Sequence, residues 1–203
     1  PSVLEVNESS PDGNHQLLYT SEETDHAYLE VECSLIETAE KLRNLINEIS
    51  NKRSLAVDLD FRGDHQLDLW LKGLSFCNDG KKAVYIDLDN NELERKEIIG
   101  QLKSVLESAE CPKLIYGLKK AVQFFSKLGI QIRGIESDIL LAAHMTDPLG
   151  RRYDLDYLLG RKLNMKRKSM GSSNVSKNGQ INMFEESDDQ DYTKHCENAA
   201  IVF

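Results

Sequence analysis

The chain has 203 residues, 40% of them hydrophobic, and a net charge of -9 from 34 acidic and 25 basic side chains. That length suits one compact domain with added segments and is enough to bury a real core. The charge argues against a surface devoted to gripping nucleic acid, because phosphate neutralisation needs lysine and arginine; this domain alone is expected to bind DNA poorly.

In chain order, residues 1 to about 27 are polar, with Ser9-Ser10-Pro11-Asp12-Gly13 and the acidic Glu22-Glu23-Thr24-Asp25. They predict a linker holding at most a strand. The alternation from Tyr28 to Cys33 predicts a short edge strand. Ser34 and Glu37 have the capping-box spacing, so a helix is expected next, with Leu35, Ala39, Leu42, Leu45, Ile46 and Ile49 on one face. Three strands are expected at about 54–60, 67–77 and 83–88. Gly63-Asp64 marks the first connection, and Asn78-Asp79-Gly80 is a hairpin signal at the second. A helix at about 91–109, a strand at about 113–116 and a helix at about 118–128 follow. Gly129 to Gly134 reads as a short strand or extended turn, and helices are expected at about 137–146 and 154–162. Residues 164–190 hold basic Lys166-Arg167-Lys168, a Ser/Asn/Gly-rich stretch and an acidic run, which predicts a mobile loop. This order implies an α/β domain with a mixed sheet and helices on its faces.

The four cysteines, Cys33, Cys77, Cys111 and Cys196, are scattered and form no C-x-x-C pair. They predict reduced thiols in a cytosolic protein, with neither a zinc site nor a disulfide framework. No signal-peptide pattern and no bilayer-length apolar stretch is visible, so no membrane partner is expected. Pro1 in place of an initiator Met, and the apolar run that closes the chain at Phe203, read as the edges of a piece of a larger protein.

Asp58 and Asp60 close the apolar run Leu55-Ala56-Val57, which reads as a buried strand. Carboxylates there could be solvated or could cap backbone amides. They are also where a two-metal nuclease places its first ligands.

Six stretches carry a resemblance. Ser54-Leu-Ala-Val-Asp-Leu-Asp60, Trp70-Leu-Lys-Gly-Leu-Ser-Phe76 and Ala83-Val-Tyr-Ile-Asp87 come first. Gly129-Ile-Gln-Ile-Arg-Gly-Ile135, Asp138-Ile-Leu-Leu-Ala-Ala143 and Tyr153-Asp-Leu-Asp-Tyr-Leu158 follow, and Tyr192 opens a last helix. In this order they resemble the 3'-5' exonuclease domain of bacterial DNA polymerase I, over residues 28–203. The resemblance implies an RNase H-like mixed sheet flanked by helices, the DnaQ-like exonuclease fold that RNase D-like enzymes share. It also implies a four-carboxylate site for two divalent ions about 4 Å apart.

Placed on that pattern, the site is incomplete. The first motif is Asp58-x-Asp60, one methylene short of an Asp-x-Glu. The second falls on Tyr116-Gly-Leu-Lys-Lys-Ala121, with Ala121 where an Asp is expected. The third is Tyr192-Thr-Lys-His-Cys196, with Cys196 at the last Asp. Asp64 stands where an apolar residue would wedge against a primer terminus. Hard ions gain little from a methyl group or sulfur, so no tightly bound cofactor is expected, and at most one weakly held Mg or Mn ion at Asp58 and Asp60. Glu136, Asp154 and Asp156 are conceivable replacement ligands, although Asp154 and Asp156 are two apart on a helix and point apart. Asp138 reads as a helix cap, Tyr192 as core packing, and Cys196 beside His195 as a buried thiol rather than half of a nucleophile dyad.

The expected function is therefore a catalytically inactive exonuclease-like domain, a structural support for a polymerase in DNA replication and repair in the bacterial cytoplasm. Its partners would be the polymerase and 5' nuclease domains of the same chain, with DNA reached through the parent polymerase. An active 3'-5' exonuclease with an altered metal site and an acidic protein-interaction module stay open as alternatives.

Overall fold

The computed structural model describes residues 27–50, 52–63, 69–168 and 188–203, with side chains from 192 onward in the last segment. The elements are β1 (Ala27–Leu29), β2 (Glu32–Ile36), α1 (Ala39–Ile49), β3 (Leu55–Arg62), β4 (Trp70–Cys77), β5 (Lys82–Asp87) and α2 (Arg95–Leu106). They continue with β6 (Lys113–Ile115), α3 (Leu118–Lys127), β7 (Ile135–Asp138), α4 (Ile139–Thr146), α5 (Leu155–Leu163), β8 (Met165–Arg167) and α6 (Asp188–Val202). Six strands make one mixed sheet in the order β2-β5-β4-β3-β6-β7, and β1 pairs with β8 beside it. Strand β4 is antiparallel to both neighbours, and the other pairs in the sheet are parallel.

The sheet buries both faces, which is why β3 reads as a near-continuous apolar run. Leu55 and Val57 join a cluster with Leu42 and Leu45 of α1, Leu102 of α2 and Phe125 of α3. Ala56 joins a second cluster with Tyr85, Leu155, Cys196 and Ala199. Successive side chains on a strand point to opposite faces. Asp58 and Asp60 thus share the face of Ala56, which α6 covers.

Several local expectations are corrected. Ser34 does not cap a helix: Glu32–Ile36 is strand β2, paired in parallel with β5, and the cap of α1 is Thr38, whose hydroxyl accepts from the Lys41 amide at 3.3 Å. Ladder hydrogen bonds outweigh a local capping box. The single strand expected from Tyr28 to Cys33 is split between β1 and β2, which serve different sheets. Of the short strand or extended turn expected over Gly129 to Gly134, the strand does not form: both glycines take positive φ, near 70° and 66°, and β7 begins only at Ile135. The loop expected over 164–190 is partly structured, because Met165–Arg167 is β8 and α6 starts at Asp188; residues 169–187 lie outside the described residues, as do 1–26 and Asp64.

Lys113 is fully buried at the start of β6. Its ammonium donates to the carbonyls of Ser108 (2.8 Å), Cys111 (2.7 Å) and Arg133 (2.9 Å), so all three of its donors are used. It stitches the turn after α2 to the turn before β7. Burial lowers its pKa. Gly134 lets the backbone pass this knot, since a Cβ there would sit 2.8 Å from the Ser108 carbonyl oxygen.

Candidate functional site

Asp58 and Asp60 end the buried part of β3, just before a register shift against β4. They are 8% and 2% exposed. Helix α6 crosses this face and presents His195 and Asn198, three residues apart and so on one side of the helix. His195 Nδ1 lies 2.5 Å from Asp58 Oδ2, and its Nε2 lies 3.3 Å from Asp60 Oδ1. Asn198 Nδ2 donates to the same Asp58 Oδ2 at 3.2 Å. Arg62 grips Asp60 in a two-point fork, Nε to Oδ1 at 2.7 Å and a terminal nitrogen to Oδ2 at 3.1 Å. The Tyr85 hydroxyl donates to Asp60 Oδ2 at 2.9 Å.

Gly73 makes the last bond possible. It faces Asp60 across the β3–β4 ladder, and a Cβ there would fall 2.1 Å from the Tyr85 hydroxyl oxygen. The ring of Tyr85 thus occupies the space that a side chain at 73 would fill.

The electrostatics follow from this packing. Ionised carboxylates only accept, so an imidazole with both nitrogens turned to carboxylates carries both protons. Burial alone would lower the His195 pKa, but the bonds and charges of Asp58 and Asp60 outweigh it and push it up to about 9. Burial alone would raise the Asp60 carboxyl. Its hydrogen bonds from His195, Arg62 and Tyr85, with the His195 charge, hold it well below the usual carboxylate range. Burial and then the Asp60 charge raise the Tyr85 phenol. Among the described residues, two carboxylates face one imidazolium and one guanidinium, so these charges balance.

This donor set does not fit a pair of divalent ions. Both oxygens of Asp60 and one of Asp58 already accept from protein groups, and two of those groups are cations. Hard ions need several free oxygens. Ser75, opposite Asp58 on β4, has a buried hydroxyl with no partner among the described residues, but one hydroxyl does not complete such a set. Among the described residues, no group of three or more His, Cys, Asp or Glu is placed to hold a metal ion.

The other sequence-derived positions lie as follows. Ala121 is fully buried on α3 and belongs to the cluster on the opposite face of the sheet from Asp58 and Asp60. Tyr192 packs beside the α6-side cluster, its ring 6.0 Å from that of Tyr85. Cys196 is not a free thiol. It forms a disulfide with Cys33 of β2, Cα atoms 5.8 Å apart, which corrects the expectation of four reduced cysteines. A sequence separation of 163 residues hid the pairing, which arises only when α6 packs across the sheet. Cys77 and Cys111 are buried thiols whose pKa values burial raises. His195 and Cys196 do point apart, one to Asp58 and the other to Cys33.

The conceivable replacement ligands are engaged elsewhere. Glu136 accepts from the Ser54 hydroxyl at 2.9 Å, Asp154 caps α5 and pairs with Arg152, and Asp156 pairs with Arg167. Asp138 accepts from the Leu140 amide as the cap of α4, and from the amides of Gly117 and Leu118 at the start of α3. It is the structural helix cap its position suggested. Sequence reasoning missed Arg62, Tyr85 and Asn198 and gave His195 no role at the carboxylates. The available signals were the i, i+3 spacing of His195 and Asn198 and the two-residue step from Asp60 to Arg62.

Comparison with known proteins bears on the family and the fold. The family described as 3'-5' exonuclease, of the DNA polymerase A type, matches residues 33–187. The POL domain of Pol1 from M. smegmatis, solved with DNA primer-template and dNTP, superposes with a TM-score of 0.56 at 26% identity. That match covers 66% of this chain and 23% of that one. RNase D of Trypanosoma brucei in complex with RNA U12 matches with a TM-score of 0.64 at 17% identity, covering 86% of this chain and 61% of that one. Escherichia coli RNase D matches with a TM-score of 0.57 at 15% identity, covering 85% and 41%. The two RNase D likenesses show the shared fold. In each case this chain spans less than two thirds of the structure it resembles.

Proposed function

This chain belongs to the 3'-5' exonuclease family, and we propose that it is a member whose site no longer cuts and whose remaining role is structural. The observation that carries the reading is the occupied carboxylate pair: His195, Asn198, Arg62 and Tyr85 take up the oxygens that ions would need. The disulfide-bonded Cys196, in the cluster on the α6 side of the sheet, offers no oxygen ligand and supports the same reading. On this proposal residues 28–203 form an exonuclease-like domain that packs beside the polymerase of a polymerase I-type protein and meets DNA only through it. The net charge of -9 agrees with weak DNA binding by the domain itself.

The test is digestion of single-stranded DNA and of mismatched 3' primer ends, with magnesium or manganese, by the parent chain and by Asp58→Ala. Equal background in both is expected. Losing ligands from a two-ion site removes nucleophile activation and leaving-group stabilisation together. Digestion that Asp58→Ala abolishes would overturn the proposal in favour of an active exonuclease with an altered site.

A further inference from the structure

We propose that His195 and Arg62 act as a built-in counter-charge at Asp58 and Asp60, keeping divalent cations out, and that removing both leaves a latent site for a single ion. The inference rests on the reading of this site given above and goes beyond it. Missing ligands alone would account for a failure to hold two ions. They would not by themselves close the remaining carboxylate pair to one.

Asp58 and Asp60 lie on the same face of β3, both under 10% exposed. Two buried carboxylates side by side demand positive charge; without it, desolvation and mutual repulsion would force a proton onto one of them. In this protein the positive charge comes from two directions. His195 arrives from α6 and spans both carboxylates through its two ring nitrogens. Arg62 arrives from the same strand and forks onto Asp60 alone. A dication approaching the pair meets two fixed cations and no oxygen on Asp60 that lacks a donor.

Take away the two side chains and the balance reverses. Asp58 and Asp60 keep their place, because β3 is paired with β4 on one side and β6 on the other. The Tyr85 hydroxyl and the Ser75 hydroxyl, which has no partner among the described residues, remain on the same face. The vacated volume is lined by hard oxygen atoms carrying two uncompensated negative charges, the chemistry that suits magnesium or manganese.

The experiment is a manganese titration of the parent chain, of His195→Ala/Arg62→Met, and of the same double variant carrying Asp58→Asn. The signal of free Mn2+ is followed by electron paramagnetic resonance, and thermal melts are run in parallel. The double variant is expected to take up one ion per chain with a dissociation constant on the order of a millimolar or tighter, the weak end for oxygen-ligated sites. Its melting temperature should climb with manganese, that of the parent should not, and Asp58→Asn should cancel both effects. A double variant that melts low in plain buffer but is rescued by manganese supports the proposal equally. Three outcomes overturn it: a folded double variant that leaves the ion free, one that stays unfolded at every manganese concentration, or uptake that survives Asp58→Asn. His195→Gln, a milder change that removes one charge with little change in volume, should give weaker uptake than the double variant; no uptake in either sinks the idea. Saturable binding by the parent counts against the inactive-site reading. Absence of binding in both parent and variants spares that reading and removes only the counter-charge.

Discussion

Gly73 is the position where one added methyl group should disturb the cluster most. A Cβ there would stand 2.1 Å from the Tyr85 hydroxyl oxygen, 2.2 Å from the ring carbon that bears it, and 2.8 Å from the Ile86 carbonyl oxygen. Those separations are far inside van der Waals contact, so the ring must move. Tyr85 is 1% exposed and packed in the cluster between the sheet and α6, so a shift of its ring disturbs that cluster. Two costs follow in Gly73→Ala. The ring loses its bond to the ionised Asp60, about 1.5–3 kcal/mol for a charged acceptor. Overpacking of a tight interior adds about 1–3 kcal/mol. Restriction of the unfolded chain returns about 0.4–1 kcal/mol. The net loss is then roughly 2–5 kcal/mol. Urea unfolding followed by circular dichroism should show it as a lower midpoint at unchanged slope. In a Tyr85→Ala background the same substitution should cost much less, because the atoms it strikes are gone. A loss below about 0.5 kcal/mol, or one of equal size in both backgrounds, would refute the argument that Gly73 exists to admit the ring.

Three further outcomes are expected. The His195 pKa of about 9 lies above its ordinary 6.5, so the stability it contributes is complete below about pH 6.5 and is lost as pH rises through about 9. The contribution is on the order of 3 kcal/mol; melts across pH 6 to 10 should slope downward in the parent and less in His195→Gln, and parallel curves would contradict the pairing. Reducing the Cys33–Cys196 bridge, or replacing Cys33 by Ser, should lower the melting temperature, since a link across 163 residues of sequence constrains the unfolded chain, typically by about 2–4 kcal/mol; an unchanged melt under reductant would speak against the bridge. Lys113→Met should cost at least about 2 kcal/mol in urea unfolding, because one buried and two part-buried carbonyls lose their donor at once, and a neutral result would mean that solvent reaches them.

What could be read from the sequence depended on how local the signal was. The β4–β5 hairpin was legible because Asn78-Asp79-Gly80 sits between two apolar runs. The Asp79 side chain does accept from the amides of Lys81 and Lys82 there. Asp138 was readable as a helix cap, since a cap acts within one turn, whereas Asp154, read as lying on its helix, is in fact the cap of α5. Ser34 misled because it has a good local partner at Glu37, while the force that decides its conformation is the ladder to β5, some fifty residues on. The carboxylate pair was visible at the end of β3. Its neighbours were not, because His195 and Asn198 reach Asp58 across 137 and 140 residues of chain. The pairing of Cys33 with Cys196 was hidden for the same reason, as both contacts exist only once α6 lies across the sheet.

Such long-range closure explains why the two carboxylates can persist in a site proposed to have no chemistry left. A buried Asp with no partner is costly to keep and easy to lose to a neutral residue. A pair of them facing each other is worse. Asp58 and Asp60 escape that cost because each carries hydrogen bonds from another part of the protein: α6 through His195 and Asn198, the outer end of β3 through Arg62, and β5 through Tyr85. With these bonds in place the acids fasten a helix to the centre of the sheet. Replacing either alone would strand cations in the same low-dielectric space, so the substitutions are coupled. Cys196, one residue from His195, clamps the same helix to the far edge of the sheet through Cys33. The site is thus held from both sides by contacts that need no ion. On the proposed reading, removing the internal cations opens the pair to one ion, whereas holding two would also require more carboxylates than Asp58 and Asp60.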